Sequence, residues 1–482
     1  MLPFIFPKIP KPNFYLSLLL VISLVSMVSC QKDTFKDALN SAKDITEYSL
    51  KKSSGEAFQN SELSVEIQGR KVNITVPSST DRTALIPTIS ITGKSISPLS
   101  GVAQNFTNPV TYTVTAENGD TANYIVTVNL KPLPAIVYFG CGDNTLYALN
   151  AATGELFWSY KGTNSFVYSS PTYFNGVIYT GSIDNNVYAF DAVTGAIKWK
   201  TLIATTGIES DAVYMDGTVY VGTNDDYMYA LDATTGVIKW SFLTGANVSS
   251  SPVIINQTVY FGSSDGKMYA VSSQTGQLKW SFQTGAMINQ SGAAIVNGVI
   301  YVGSRDSYLY AIDANTGSLV WKYYANGISL EQSSPTVSNG VVYIGGWYGS
   351  NFTVKGSLYA INAQTGQLVW EKLQNTGISS SPIIADGKLY ITADDLKVHA
   401  LNALTGESLW EKEILPNSSS ATAYNAVVYV GGAGSRYFYA FDGVTGSEKW
   451  KFNLPNGLMT SSPIVVVQSG EIYPSGDSGS RQ

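Results

Sequence analysis

The chain is poor in charge, poor in cysteine and almost without histidine. Lysine, arginine, aspartate and glutamate make up 13% of its 482 residues. That is too little charge for a long helical protein or a disordered one. The formal net charge is −6 at pH 7. No basic cluster offsets it, which argues against nucleic acid as a partner. Histidine occurs once, at His399, and cysteine twice, at Cys30 and Cys141. What is abundant is glycine (44 residues) and tyrosine (31). With plentiful Val and Thr, that composition predicts an all-β protein with many tight turns.

The first 29 residues carry Lys8 and Lys11 and no acid. Phe14 to Ser29 is apolar or small and uncharged. Such a run is short for a membrane-spanning helix and suits the core of a signal peptide. It ends Met27-Val28-Ser29-Cys30, which resembles a lipobox. The resemblance implies cleavage before Cys30, lipidation of Cys30 and anchoring to the outer membrane by acyl chains. Gln31-Lys32-Asp33 then resembles the short tag that sends some lipoproteins to the cell surface. A surface location is therefore expected ahead of a periplasmic one. Cys141 stands where other repeats have Ser182, Thr223, Ser263 and Ser304, and reads as a small packing residue.

Residues 30–54 are polar and read as a lipidated tether. Residues 55–130 read as a small β-sandwich stalk. Val72, Ile74 and Val76 alternate with polar residues, as do Tyr112 and Val114, and Tyr124, Val126 and Val128. Asn118-Gly119 is a hairpin signal. The run from Leu99 to Val128 resembles the immunoglobulin-like spacer modules of bacterial surface lipoproteins. Lys131-Pro132-Leu133-Pro134 reads as a stiff linker over 131–135.

From 136 to 482 the chain repeats. The unit is close to V-Y-x-G-S-x-D-x-x-x-Y-A-L-D-A-x-T-G-x-x-x-W. Its last residue falls at Trp158, Trp199, Trp240, Trp280, Trp321, Trp370, Trp410 and Trp450. Steps of 40 or 41 residues, with one of 49, match a four-stranded propeller blade. In one repeat, Val219–Gly222 reads as strand B and Tyr229–Asp232 as strand C. Strand D ends at Trp240, and Ser249–Ile255 is strand A of the next blade. The first repeat begins at strand B, while Ser461-Ser462-Pro463 and Ile464 to Val467 form an unused strand A. Eight blades closed by the C-terminal strand are expected, which removes the free sheet edges.

The motif A-x-D-x-x-T-G-x-x-x-W resembles the tryptophan-docking repeat of the quinoprotein propellers. The resemblance implies that the eight tryptophans pack between blades. Asp191, Asp232, Asp313 and Asp442 are expected to hold turn amides. Enzymes of that family use pyrroloquinoline quinone and calcium, and many carry adjacent cysteines and long insertions. This chain has neither, and His399 occupies a repeat-tyrosine slot. The expectation is a non-catalytic protein without cofactor or metal. In plainness it resembles BamB, the propeller lipoprotein of the outer-membrane β-barrel assembly machine, with a stalk domain added.

The A–B and C–D turns are short and uniform. The D–A and B–C loops on the opposite face vary, so a protein or glycan partner is expected there. The candidate contacts are Phe166, Tyr168, Glu209, Asn247, Asn289, Gln290, Glu331 and Gln332. About nine extra residues enlarge the sixth B–C loop, which supplies Trp347, Tyr348 and Phe352 as aromatic anchors. Ile208, Asp211 and Met287 lie beside these. A monomer is expected.

Overall fold

The computed structural model describes residues 40–473, apart from 60–61, 79, 351–352, 375, 415–418, 433–435, 456–458, 460 and 468–471. Cys30 and its leader, and Phe352, lie outside the described residues. Among the described residues the regular elements are all strands, and no helix is long and apolar enough to cross a membrane. The chain divides into two compact units. One holds the described residues up to Thr75 with Asp81–Asn129; the other holds Val76–Thr80 and the chain from Leu130.

The first unit is a β-sandwich of seven strands: β1 (Ile45–Lys51), β2 (Ser64–Gln68), β3 (Lys71–Val76), β4 (Ile86–Ile91), β5 (Ser95–Ser97), β6 (Val110–Thr115) and β7 (Thr121–Leu130). One sheet has the order β2-β3-β7-β6-β5, and β1 pairs with β4. The alternating residues Val72, Ile74, Tyr112, Val114, Tyr124 and Val126 are buried, each on the inner side of its strand. The chain turns from β6 to β7 through Gly119, whose φ of 91° suits glycine. The expected tether over 30–54 needs correction, because β1 lies within it and belongs to the sandwich. Ile45, Tyr48 and Leu50 face inward, but a bulge between Ile45 and Glu47 shifts their phase and hides the period-two pattern.

The second unit is an eight-bladed propeller. Blade 3 is typical: strand A is Val213–Met215, B is Thr218–Gly222, C is Tyr227–Asp232 and D is Ile238–Leu243, paired in that order. Strand B is buried along its length, strand C is buried or half-buried, and D alternates at the rim. In blade 1, strands Ile136–Cys141, Thr145–Asn150 and Leu156–Lys161 take their inner partner from Ile464–Val466, with Tyr138 opposite Ile464. A further short strand, Ile472–Tyr473, pairs on the inner side of that one.

Two strand assignments from the sequence change. Strand A of blade 4 is Val253–Ile255, not Ser249–Ile255. Pro252 has no N–H to give to a ladder, and the serines before it bond to neighbouring blades instead. Strand D runs two or three residues past its tryptophan, as Ile238–Leu243 does beyond Trp240 and Leu368–Lys372 beyond Trp370. A bulge at the residue before each tryptophan, for example Lys239, re-aims the indole.

Each indole points into the next blade. Trp158 Nε1 donates to Ala192 O at 2.8 Å, Trp199 to Ala233 O at 2.9 Å and Trp280 to Ala314 O at 3.0 Å. The series closes with Trp450 to Ala151 O at 3.2 Å. The same carbonyls accept a second bond from a strand-B tyrosine: Tyr138 on Ala192, Tyr260 on Ala314 and Tyr429 on Ala151. The indole faces lie on the Thr-Gly turns. A Cβ at Gly195 would sit 2.7 Å from the Trp158 ring, and Gly195 also has a φ of +71°. Glycine is thus required there for space and for backbone conformation. The repeat aspartates cap the same turns. Asp191 Oδ1 accepts from the Val193 and Thr194 amides and the Thr194 hydroxyl. At Asp442, the equivalent bonds from Thr445 hold the carboxyl down at about 2.

Candidate binding face

The D–A and B–C loops emerge together at one end of the blades, around a belt of hydroxyls. The amide at the second serine of each Ser-Ser-Pro site donates to the side chain of the following blade. Ser170 N reaches Asp211 Oδ1 at 2.6 Å, and Asp211 N reaches Ser251 Oγ at 3.4 Å. Gly292 N reaches Ser334 Oγ, Ser334 N reaches Ser381 Oγ and Ser381 N reaches Ser420 Oγ, each at 2.8 Å. Ser420 N then reaches Ser462 Oγ at 3.2 Å, and Ser462 N returns to Ser170 Oγ at 3.0 Å. The belt breaks only at Gly292, which offers Ser251 no oxygen. Asp211 is the one acid in it, so this residue, expected near the channel mouth, is built into the wall.

The enlarged sixth B–C loop is an ordered hairpin rather than a loose insertion. Strands B and C of blade 6 lengthen to Val341–Ser350 and Thr353–Asn362, paired from Val341–Asn362 to Ser350–Thr353. Alternating Gly and aromatic residues conceal this in the sequence. The Trp347 backbone pairs with Ser329, and its Nε1 donates to Asp394 Oδ2 at 2.9 Å in the next blade. Tyr348 is on the opposite side of the strand and 51% exposed.

The remaining candidates separate. Phe166 is corrected: it is fully buried, with its ring against Tyr160 and Tyr188. Gly140 leaves the slot it fills, since a Cβ there would meet Phe166 O at 2.1 Å. Ile208 fills the equivalent slot at Gly181 and is buried too. Tyr168, Asn247 and Gln290 are exposed, and Glu209, Asn289 and Gln332 are half-buried.

Glu331 is only 6% exposed. Its Oε1 lies 3.7 Å from Arg305 Nε, while Oε2 has no hydrogen-bond partner. Burial raises its carboxyl above the usual range, against the opposing pull of Arg305. Arg305 Nη1 also donates to Met287 Sδ at 3.4 Å, and Ser291 N to Glu331 O at 2.7 Å. Met287, Arg305, Glu331 and, two residues along the chain, the Ser329–Trp347 pair thus gather at blades 5 and 6. Tyr168, Glu209 and Asn247 belong to loops entering blades 2, 3 and 4. Sequence reading missed Arg305 and Asp394, which look like ordinary B–C turn residues.

His399 is buried, and its Nε2 lies 2.9 Å from Asp395 Oδ2. In other blades a tyrosine hydroxyl makes the same contact, as Tyr310 does to Asp306 at 2.6 Å. Cys141 is buried, which pushes its thiol up to about 12. Among the described residues no three His, Cys, Asp or Glu side chains converge as a metal group.

Fold and docking pattern define a quinoprotein-type repeat propeller preceded by a β-sandwich module. The family model described as outer membrane protein assembly factor BamB matches residues 134–213, 201–354 and 283–430, and the chain belongs to that family. A second model, described as SGBP, N-terminal, matches residues 55–128. None of the curated proteins matches the chain. Similar solved structures include BamB from Moraxella catarrhalis, at 22% identity and TM-score 0.53, covering 63% of this chain and 90% of that one. The computationally designed Ika8 protein has 15% identity and TM-score 0.52, covering 64% and 96%. A europium-containing methanol dehydrogenase has 16% identity and TM-score 0.53, covering 62% and 81%. At these identities the likeness concerns fold alone.

Proposed function

We propose that this protein is a non-catalytic outer-membrane lipoprotein, displayed at the cell surface, whose propeller binds a protein or glycan through the varied face. The observation that carries this reading is the sixth-blade hairpin. It presents Tyr348 to solvent on a strand that Trp347 pins to Ser329 and Asp394. A rigidly held aromatic loses little conformational freedom on binding, which suits it as an anchor. The lipobox-like Cys30 and the sandwich module support an anchor-and-stalk arrangement, and family membership supports a scaffold role.

Two measurements test it. Antibody or biotin labelling of intact cells should reach the propeller, with a periplasmic protein as leakage control. Partner capture by the full chain should fall at least tenfold in Tyr348→Ala and Trp347→Ala. Unchanged capture in both variants removes the hairpin from the reading. A propeller shielded until the outer membrane is broken favours the second reading, a periplasmic assembly role, for which family membership speaks. Dye reduction by the folded protein with quinone, calcium and an alcohol or aldose would overturn the non-catalytic assignment.

A further inference from the structure

The opposite face holds a cleft that this reading does not use. About 450 Å³ in volume, it opens between blades 3 and 4 on the side of the A–B and C–D turns. Blade 3 contributes Met215, Asp216, Thr218, Tyr220 and Lys239; blade 4 contributes Ile254, Ile255, Asn256, Gln257, Ser273 and Gln274. That volume lies within the range of small-ligand sites, which run from about 300 to 1,000 Å³.

Blade 4 departs from the repeat where it forms this cleft. Its A–B turn is Asn256-Gln257, where Asp216-Gly217, Asn297-Gly298 and Asn339-Gly340 show the usual pair. Gln257 nevertheless keeps the left-handed backbone, with φ of 58°. Glutamine is strained there, and the turn gives its exposed amide a place at the cleft. Ala426 has the same backbone in blade 8 but offers no polar group. The C–D turn changes as well: Ser272-Ser273-Gln274 replaces the Asp-Ala-x of Asp232-Ala233 and Asp313-Ala314.

The chemistry of the lining narrows the ligand. Lys239, its cation, is already engaged: Nζ donates to Gly217 O at 3.0 Å and Thr218 Oγ1 at 2.9 Å, and lies 3.3 Å from Asp232 Oδ2. What remains is one rim carboxylate, Asp216, with the amides of Asn256, Gln257 and Gln274, beside an apolar floor of Tyr220 and Ile254. The third residue of strand A is an exposed apolar residue on three successive blades: Phe174 at 45%, Met215 at 37% and Ile255 at 39%. Phe174 also stacks on Tyr214, with centroids 3.8 Å apart and rings 13° from parallel. Amides beside an aliphatic platform of Met215 and Ile255 match a ligand with hydroxyl edges and C–H faces.

We infer that this face binds a neutral oligosaccharide, with Asn256, Gln257 and Gln274 on its hydroxyls and the exposed Met215 and Ile255 side chains under its sugar faces. The inference deepens the proposed binding role but uses a site separate from the hairpin. The test is calorimetric titration of the full chain with neutral gluco-, xylo- and manno-oligosaccharides of two to six units, and with oligogalacturonate.

The expected result is saturable binding of a neutral series, with oligogalacturonate weaker because of Asp216. Gln257→Gly should weaken binding at least tenfold while leaving the thermal midpoint unchanged or higher, since it restores the usual turn. His399→Tyr, a buried packing change in blade 7, should bind as wild type. No binding of any neutral series, or full binding in Gln257→Gly, overturns this site. Full binding in Gln257→Gly together with loss in Tyr348→Ala overturns it too, while leaving the hairpin reading intact.

Discussion

At the scale of single residues, the fold rests on carbonyl oxygens that each take two bonds from a neighbouring blade. Removing one donor leaves the other in place. Trp321→Phe, which strips the indole N–H from Ala363 O while Tyr301 still bonds there, should cost about 1–2 kcal/mol. Gly317→Ala should cost more, because its Cβ would lie 2.7 Å from the Trp280 ring at a φ of +71°. Urea unfolding of the two variants compares them. His399→Tyr restores the repeat residue and its bond to Asp395, so its midpoint should be near wild type.

Glu331 gives a pH signature. Its carboxyl is raised in the folded protein, so the folded state holds the proton more tightly than the unfolded one. Its contribution is therefore most favourable below the ordinary glutamate value of about 4.3 and declines as pH rises toward the raised folded value. Glu331→Gln should raise stability at pH 7 by about 1–3 kcal/mol, the usual cost of an unmet buried acceptor, with the gain disappearing at pH 4. Equal effects at both pH values would assign the change to packing instead.

At the scale of elements, legibility followed periodicity. Strands B and C were readable because their residues recur eight times and stay buried. The bulge that turns each tryptophan was hidden, since Lys239 looks like any strand residue. The same blindness turned β1 into tether, where a bulge broke the alternation of Ile45, Tyr48 and Leu50. Phe166 misled for a different reason: it lies in a variable loop, but its partner is the space left by Gly140, distant in sequence. The hairpin of blade 6 was legible in composition but not as strands. Replacing Gly346–Gly356 by Ser-Arg-Asp-Ser, which restores the loop length of blade 5, should leave the thermal midpoint within a few degrees and abolish partner capture.

At the scale of the whole molecule, the ring depends on its last strand. Chains ending after Asn453 lack Ile464–Val466 and leave the inner edge of Ile136–Cys141 unpaired. They should lose cooperative unfolding and associate through that edge, which light scattering and denaturant titration would detect. The hydroxyl belt adds a gain-of-stability prediction. Gly292→Ser supplies the missing acceptor for Ser251 N and should raise the midpoint of unfolding; an unchanged or lower midpoint would show the gap to be satisfied otherwise.

The closure also sets an order of events. Gly140 N bonds to Ser461 Oγ across a sequence separation of 321, and Tyr429 to Ala151 across 278. Blades 2 to 7 use contacts within one or two repeats and can assemble while the chain is still being made. Blade 1 is begun first and finished last, so a growing chain carries an unfilled groove beside Ile136–Cys141 until Ile464–Val466 has been synthesised. The slow step of folding is then the search of the two ends for each other, and its rate should respond to circular permutation far more than the final stability does.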